Sequence, residues 1–416
     1  MNPRLAGAAL GAAIVAAALG CAATDESLDQ DRSDEAAAST VQAADPDASV
    51  QARVVLANLR SFDLTSPTAF DRRILLGQQE PDVSNRARNG LDPLPSDVQA
   101  IAGRSPALAS YELSAVYRGA TTMFDRAAFT AGRGRLRELI LDKKKKGILV
   151  SLVWHMRCPK ASPNGPDKYS PADCPPDYNL EELLEIKPDG RRGAHFDEWK
   201  GMLDEIAELL WSLKDDRGNL VPVLLRPMHE HTGGWFWWGR DNDASAFVRV
   251  WRHMVTYLRE GRGLHSVLWV FCPAAPTDSA TRGYQATYPG DAFVDIVAFD
   301  RYDLGSTFAS RYADDLSEIG AFARAHGKAA AVAEVGRDWS QAGVSRDTTW
   351  FTRSMLAPLE RRSFAYVSLW RNAPWEKFVP EPGDGPLAED FKTMATGPSV
   401  LLAGKHDLYR ALHPLY

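Results

Sequence analysis

The chain has 416 residues, of which 45% are hydrophobic, so it is long enough to bury a large core as one catalytic domain. Its formal net charge of −6 gives no global basic field, which argues against nucleic acid or an anionic membrane surface as its partner. The 12 Trp and 12 Tyr residues favour a binding role towards a neutral or weakly charged ligand.

Residues 1–20 are typical of a signal peptide, because one charged side chain, Arg4, precedes an uncharged stretch of small and aliphatic residues. The stretch is too short and too rich in small residues for a membrane span. It ends in Ala18-Leu19-Gly20-Cys21, which resembles a bacterial lipobox, although Leu usually stands where Ala18 does. We expect an exported protein, extracellular or in the cell envelope, with a lipid on Cys21 as its only membrane attachment; simple cleavage is the alternative.

The segment that follows carries eight acidic residues against one Arg between residues 22 and 50 and has no aromatic residue. This composition predicts a flexible, disordered linker over 21–50. If Cys21 is lipidated, three cysteines remain in an oxidising compartment. Cys158 and Cys174 lie in one Pro-rich loop and are the expected disulfide, which leaves Cys272 as a buried thiol. These residues supply too few ligands for a metal site, and we expect neither a metal nor a cofactor.

From residue 74 onward, eight short apolar runs alternate with stretches of helical periodicity, which predicts a parallel sheet. The runs are Ile74–Gln79, Ala107–Leu113, Gly147–His155, Pro222–Glu230, Ser266–Pro273, Val294–Tyr302, Ala329–Gly336 and Phe364–Asn372. Helices are expected over 124–142, 196–214, 243–261, 308–326 and 348–361. Eight such units predict a single (β/α)8 TIM barrel domain over 51–416. A doubly wound open sheet is the alternative, but no Gly-rich dinucleotide loop follows the first run.

Seven of the eight runs become polar or aromatic at their C-terminal ends, which meet on one face of a barrel, where its active site lies. These residues are Gln78, Gln79, Glu112, Trp154, His155, His229, Glu230, Asp300, Tyr302, Glu334, Trp370 and Arg371. Glu230 and Glu334 end the fourth and seventh runs and provide the two carboxyl groups that a retaining glycosidase needs, about 5–5.5 Å apart. A metal site in His229-Glu230-His231 is the alternative reading. Adjacent strand residues point to opposite faces, and the spaced His-Glu-x-x-His pattern is absent.

The segment Arg226-Pro-Met-His-Glu-His-Thr-Gly-Gly-Trp-Phe-Trp-Trp-Gly239 resembles the acid/base signature of glycoside hydrolase family 26, the family of many β-mannanases. Four further segments match in order, and the resemblance covers roughly 74 to 380. They are Ser151-Leu-Val-Trp-His155, Phe299-Asp-Arg-Tyr-Asp303, Ala333-Glu-Val-Gly336 and Tyr366-Val-Ser-Leu-Trp-Arg-Asn372.

The resemblance implies Glu230 as acid/base and Glu334 as nucleophile. The implied substrate-binding residues are His155, His229, Trp235, Asp300, Tyr302, Trp370 and Arg371. Tyr302 is placed to donate its hydroxyl to Glu334, with Asp300 ordering that network, and Arg371 to bond sugar hydroxyls or a carboxylate. Of the aromatic residues after the acid, Trp235 matches a sugar-stacking position, whereas Trp237 and Trp238 are expected to pack the loop.

The chain departs from the family where Gln78 replaces a common His, Glu112 a common Asp, and His231 an Asn or Met. These positions concern sugar-binding subsites and not the catalytic pair, so they bear on the choice of substrate and not on the reaction type. We expect a monomeric endo-β-1,4-mannanase that acts on mannan or glucomannan by double displacement. The alternatives are the same mechanism on mixed-linkage β-glucan or β-1,3-xylan, and a carbohydrate-binding lipoprotein that has lost turnover.

Overall fold

The computed structural model describes most of the chain from residue 29 onward. The described residues are 29–62, 72–114, 126–158, 169–175, 178–186, 190–193, 195–239, 243–278, 283–341 and 347–412. Residues 1–28, with the predicted signal peptide and Cys21, lie outside this part.

Eight parallel strands form a closed barrel, because each pairs with the next in the chain and β8 pairs with β1. The strands are β1 (Ile74–Gln79), β2 (Leu108–Glu112), β3 (Leu149–Trp154), β4 (Val223–Pro227), β5 (Val267–Phe271), β6 (Ile296–Tyr302), β7 (Ala329–Gly336) and β8 (Tyr366–Leu369). A short strand, β9 (Val400–Leu401), pairs in parallel with the first two residues of β1. The predicted TIM barrel is confirmed, and the doubly wound alternative is wrong.

Helices cover the outside of the barrel and bury their apolar faces against the strands, as parallel sheets require. They are α1 (29–39), α2 (Val50–Ser61), α3 (Asp97–Ala102), α4 (Arg126–Lys145), α5 (Leu180–Leu184), α6 (Phe196–Ser212), α7 (Ala244–Thr256), α8 (Gly283–Ala286), α9 (Phe308–His326), α10 (Ala357–Leu359) and α11 (Pro386–Thr396). Two π-helical segments, Tyr257–Gly261 and Trp350–Leu356, continue α7 and precede α10. The five predicted helices are all present within a few residues. Among the described residues, no helix is both long and apolar enough to cross a membrane.

The predicted flexible linker is wrong for the part that the structure describes, because α1 is a helix packed against the end of the chain. Asp34 is buried and accepts a hydrogen bond from the Ala411 N–H at 2.7 Å, and it pairs with Arg410 at 2.7 Å. Ala38 packs with Val54 and Ala411. The segment lacks aromatic residues, but small alanines allow close helix packing and the buried carboxylate fixes its register.

The residues between α1 and α2 are also ordered. The Ala44 N–H donates to Asp295 at 2.7 Å, and buried Asp45 pairs with His265 at 2.9 Å. Asp31 of α1 pairs with Arg217, in the turn that precedes β4. Alpha-1 therefore lies at the rim formed by the N-terminal ends of the strands, opposite the rim where the polar strand ends meet.

Candidate active site

The seventh strand brings Glu334 level with Asp300 of the sixth by means of a β-bulge. The register pairs Phe299 with Val332 and then Asp300 with Glu334, so Ala333 is the extra residue. Bulges of this kind redirect side chains next to active sites. Both carboxyl groups consequently lie near the C-terminal rim of the barrel, and both are buried.

The fourth strand ends earlier than predicted, at Pro227, and the chain then turns sharply. Met228 and Glu230 have φ of 46° and 50°, in the left-handed region that side-chain-bearing residues rarely adopt. The Glu230 N–H donates to the carbonyl of Cys272 at 2.8 Å, which fixes this turn. Because the chain is no longer a strand here, His229 and Glu230 both face the cleft, and the expectation that adjacent residues point apart is wrong at this position.

Glu334 accepts hydrogen bonds from two donors, one of which is a buried cation. The guanidinium of Arg226 donates through Nη2 to Glu334 Oε1, and the Tyr302 hydroxyl donates to Oε2 at 2.6 Å. Arg226 is buried, so its charge is little screened. The contact from Tyr302 to Glu334 is the one the sequence predicts.

Glu230 has surroundings of the opposite kind. Burial and the nearby charge of Glu334 raise the pKa of Glu230 to about 7, while a hydrogen bond from the Trp235 indole N–H, at 2.8 Å, opposes the rise. One carboxyl group of the pair therefore contacts a buried cation, whereas the other has a raised pKa and contacts a neutral indole. Different surroundings for two nearby carboxyl groups are what an acid and a nucleophile require.

Behind Glu334 lies a buried chain of donors and acceptors. Arg226 Nη1 donates to Asp300 Oδ2 at 2.7 Å, and the Cys272 thiol donates to the other oxygen, Oδ1, at 3.2 Å. Burial raises the pKa of Asp300 and the Arg226 charge opposes this. The sequence predicts Asp300 as a sugar contact, but its side chain is fully buried beneath the cleft, where it orients Arg226 rather than Tyr302.

Two histidines whose pKa values shift in opposite directions, His155 and His229, adjoin the glutamates. Although burial alone would lower it, the Glu112 carboxylate beside the ring raises the pKa of His155. Glu112 also accepts a hydrogen bond from the backbone N–H of His155 at 3.1 Å. Burial and the charges of His155 and Arg226 hold the pKa of His229 well below its usual range, so this ring is neutral. The two rings meet edge to face with centroids 4.3 Å apart. His231 points elsewhere and stacks on Phe247, with ring centroids 3.6 Å apart.

The cleft above these residues has a volume of about 1000 Å³ and is lined by both glutamates. Trp235 forms part of its wall and is 46% exposed, in keeping with a surface on which a sugar ring could stack. Trp370 lines the cleft and donates its indole N–H to Glu376 at 3.2 Å. His155, His229 and Tyr302 also line it.

Arg371, predicted as a sugar contact, is not among the residues that line this cleft. Its guanidinium pairs with Glu80 at 2.6 Å and with Glu376 at 2.9 Å. Arg371 therefore lies behind the cleft wall and holds Glu376, which lines the cleft beside Trp370. Arg371 lies there because two carboxylates, those of Glu80 and Glu376, pair with its guanidinium.

Trp237 and Trp238 pack the loop, as the sequence predicts. Both are buried, and their indole N–H groups donate to the carbonyls of Met156 and His229 at 2.7 and 2.9 Å. Phe236 stacks on Trp238 with ring centroids 4.3 Å apart and also lines the cleft.

The structure pairs Cys158 with Cys174, with Cα atoms 5.7 Å apart, and leaves Cys272 buried and free. The bridge closes the loop after β3, and the carbonyl of Tyr169 in this loop accepts a hydrogen bond from the backbone N–H of Trp237 at 2.9 Å. The Tyr169 ring lies 5.5 Å from His155, centroid to centroid. The disulfide therefore holds one wall of the site.

A group of His229, Asp300 and Glu334 has ligand atoms within 4.8 Å of one another, a spacing that could suit a metal ion. The two carboxylates of this trio already share the guanidinium of Arg226. The positive charge between them is thus supplied by a side chain of the protein.

Sequence reasoning gave no role to Arg226, Cys272 or Glu376. Arg226 was detectable, because it is a charged residue within the otherwise apolar run Val223 to Pro227 and opens the quoted motif. The roles of Cys272 and Glu376 depend on contacts with residues distant in sequence or on loop geometry, and no local pattern indicates them.

A closed (β/α)8 barrel with two buried carboxyl groups in contrasting surroundings at the C-terminal rim is the architecture of a retaining glycoside hydrolase. Comparison with known families agrees with this class. The chain belongs to glycosyl hydrolase family 26, whose model matches residues 44–342.

Individual relatives are similar across most of the chain. A mannan endo-1,4-beta-mannosidase of Bifidobacterium adolescentis is 28% identical over 353 residues, covering 80% of this chain and 33% of that protein. This chain thus spans about a third of that relative's length. A GH26 beta-mannanase from Bacteroides ovatus superimposes with a TM-score of 0.69 at 27% identity, covering 86% of this chain and 97% of the other. A modular endo-beta-1,4-mannanase from Cellulomonas fimi gives 0.73 at 27% identity, covering 87% and 77%.

Proposed function

We propose that this chain is a retaining endo-β-1,4-mannanase that hydrolyses mannan or glucomannan, with Glu334 as nucleophile and Glu230 as acid/base. The observation that carries the proposal is the contrast between the two glutamates. Glu334 accepts from Arg226 and Tyr302, whereas burial and its neighbour raise the pKa of Glu230 to about 7. A nucleophile must be ionised and an acid protonated at the same pH.

The reaction proceeds in two displacements. Glu334 Oε attacks the anomeric carbon while Glu230 gives its proton to the leaving glycosidic oxygen, so the bond to the departing sugar breaks as the glycosyl ester forms. Glu230, now ionised, then takes a proton from water, whose oxygen attacks the same carbon and releases Glu334. Neutral His229 adjoins the site without adding a positive charge that would favour early ionisation of Glu230.

The relatives support mannan as the substrate. The proteins from Bifidobacterium adolescentis and Cellulomonas fimi are both named as endo-acting mannanases. The described cleft, which is open and lined by Trp235 and Trp370, suits a chain of sugars without charge.

A β-glucan substrate is the second candidate. An endoglucanase H from Acetivibrio thermocellus is 33% identical to this chain over 90 residues, although that match covers 10% of the relative. This short similarity keeps the same mechanism on a glucan as the alternative to be tested.

The test is hydrolysis of a panel of mannan, glucomannan, lichenan, β-1,3-xylan and β-1,4-xylan by purified protein, with product sizing over time. We expect fastest cleavage of mannan or glucomannan, with a ladder of mixed oligosaccharides early in the reaction. Faster cleavage of lichenan or a xylan than of mannan would show that the proposed substrate is wrong. Release of a single short product from the outset would indicate exo action and contradict endo action. Binding without hydrolysis would favour the non-catalytic alternative.

We also propose that the protein is exported and acylated on Cys21, which rests on the sequence alone. Metabolic labelling with a radioactive fatty acid should mark the wild-type protein and not Cys21→Ala. Labelling of both, or of neither, would contradict the lipid anchor. Size-exclusion chromatography with light scattering tests the expected monomer.

A further inference from the structure

A second concave surface, unrelated to the cleft, lies on the side of the barrel between α9 and the helical segment Trp350–Leu359. It has a volume of about 940 Å³ and is lined by four arginines, Arg324, Arg353, Arg361 and Arg362, with no carboxylate and no lysine among its lining residues. We call it the arginine groove. Such a concentration of one sign is unexpected in a chain with a net charge of −6.

The charges of the arginine groove are not neutralised internally. Within the described part of the chain, Arg324, Arg353 and Arg361 are exposed and have no ion pair or hydrogen bond to a carboxylate. Several exposed arginines elsewhere have an acidic partner, such as Arg249 with Glu181 at 2.6 Å. Uncompensated like charges around one concavity repel one another, and a bound anion would remove that repulsion.

Two of these side chains are positioned by the groove itself. Arg362 donates to the carbonyls of Pro358 and Ala313 at 2.7 and 2.9 Å and to the Ser317 hydroxyl at 2.8 Å. These acceptors are neutral, so the guanidinium is held across both helices with its charge unpaired. The guanidinium of Arg324 folds back over Gly320, where a Cβ atom would lie 3.5 Å from its Nη1.

The size of the groove and the distribution of its cations indicate an extended ligand. Arg324 lies on α9, Arg353 on the helical segment, and Arg361 and Arg362 in the turn that follows this segment. The volume of about 940 Å³ far exceeds that of one small anion, whereas a linear chain with carboxylates on several units can fill it and contact several of these cations. All four cations are arginines, whose planar forks match carboxylates in bidentate geometry.

We propose that the arginine groove binds an acidic polysaccharide, a linear saccharide chain that carries uronic acid carboxylates. A recessed groove fits such a chain better than it fits the plane of a membrane. The site is separate from the catalytic cleft, and its function does not depend on which neutral polymer the cleft cleaves.

The test measures binding of a fluorescently labelled oligogalacturonate to the full chain by polarisation at low and high salt. The double variant Arg324→Gln/Arg361→Gln should bind at least tenfold more weakly, because two forks are lost. Arg249→Gln/Arg311→Gln, which removes the same charge from exposed arginines outside the groove, should bind within twofold of the wild type. Added salt should weaken wild-type binding strongly.

Three results would overturn the proposal. The wild type does not bind the oligogalacturonate, or both double variants lose binding equally, or polyphosphate or vesicles containing phosphatidylglycerol bind more tightly than the saccharide. Hydrolysis of a neutral mannan and the thermal midpoint should be the same in wild type and variants. A variant that loses either has been damaged, and the single variant Arg361→Gln then replaces it in the binding assay.

Discussion

At the scale of single residues, Arg226 separates the two glutamates chemically. Its guanidinium contacts Glu334 and Asp300 but not Glu230, so one glutamate shares a buried cation and the other has only a neutral indole N–H. The same asymmetry should appear in the kinetics of variants that lack each carboxyl group.

Replacing each glutamate by Ala should separate their roles. Glu334→Ala should lose at least about four orders of magnitude in kcat on every substrate, because no covalent bond can form. Glu230→Ala should lose about 10²–10⁴-fold on mannan and far less on an aryl mannoside whose leaving group needs no proton. Azide should partly restore Glu230→Ala and yield a β-glycosyl azide. If azide instead restored Glu334→Ala and yielded an α-glycosyl azide, Glu230 would be the nucleophile and Glu334 the acid/base.

The pH dependence should follow Glu230. Its pKa of about 7 means that kcat/KM falls as pH rises through about 7, because the proton for the leaving group is lost. The Trp235 indole stabilises the carboxylate, so Trp235→Phe should move this limb to higher pH. One hydrogen bond of about 1 kcal/mol corresponds to roughly 0.7 pH unit. Trp370→Phe is the control, because that indole donates to Glu376. If the alkaline limb of the pH profile moves equally in both variants, the hydrogen bond from Trp235 to Glu230 does not set its position.

Cys272 contacts both Glu230 and Asp300, the buried carboxylate behind Glu334. Its carbonyl accepts the Glu230 N–H, and its thiol donates to Asp300. Cys272→Ala leaves a buried carboxylate oxygen without this donor, and we expect a loss of about 1–3 kcal/mol in the free energy of unfolding and a lower kcat. Cys272→Ser keeps a donor and should retain most of both. Chemical denaturation and steady-state kinetics measure this; equal losses in the two variants would exclude the thiol hydrogen bond as the cause.

At the scale of elements, the loop after β3 depends on its disulfide. The bridge joins residues 16 apart, and opening a loop of this size costs about 3 kcal/mol in the chain-entropy account. Cys158→Ser/Cys174→Ser should therefore unfold at lower denaturant concentration and raise KM, because Tyr169 is no longer held beside His155. Reduction of the wild type with dithiothreitol should reproduce both changes. A reduced wild type that behaves like the oxidised protein would show that the bridge does not support this wall.

The order of strands and the meeting of Glu230 and Glu334 at one rim could be predicted because apolar runs and their polar ends are local patterns. The directions in which side chains point at the rim could not be predicted. The run ending at Glu230 is continuous in composition, yet positive φ at Met228 and Glu230 ends the strand at Pro227. The bulge at Ala333 sets Asp300 beside Glu334 and buries it, and strand periodicity does not indicate a bulge. Alpha-1 escaped prediction because its few contacts are made with residues near 410.

At the scale of the whole molecule, α1 closes the chain on itself, since its partner residues follow β9. Asp34→Ala removes a buried carboxylate that accepts from Ala411 and pairs with Arg410, and should lower the free energy of unfolding by about 1–3 kcal/mol. Asp31→Ala removes a half-exposed partner of Arg217 and should cost at most about 1 kcal/mol. Activity should not change in either, because both residues lie at the rim opposite the cleft. Denaturation curves with equal shifts for the two variants would contradict a specific role for Asp34.

The position of α1 also determines how the enzyme can be presented on a solid support. Asp31 pairs with Arg217 before β4, so α1 joins the barrel at the end farthest from Glu230 and Glu334. A bead or electrode coupled through the residues preceding α1 would hold the barrel by its base, with the cleft open to the bulk liquid. Coupling through lysines at random would place part of the population with the cleft against the support. Insoluble substrate particles, which cannot diffuse around a blocked opening, should reveal the difference as a higher specific activity for the N-terminally coupled enzyme.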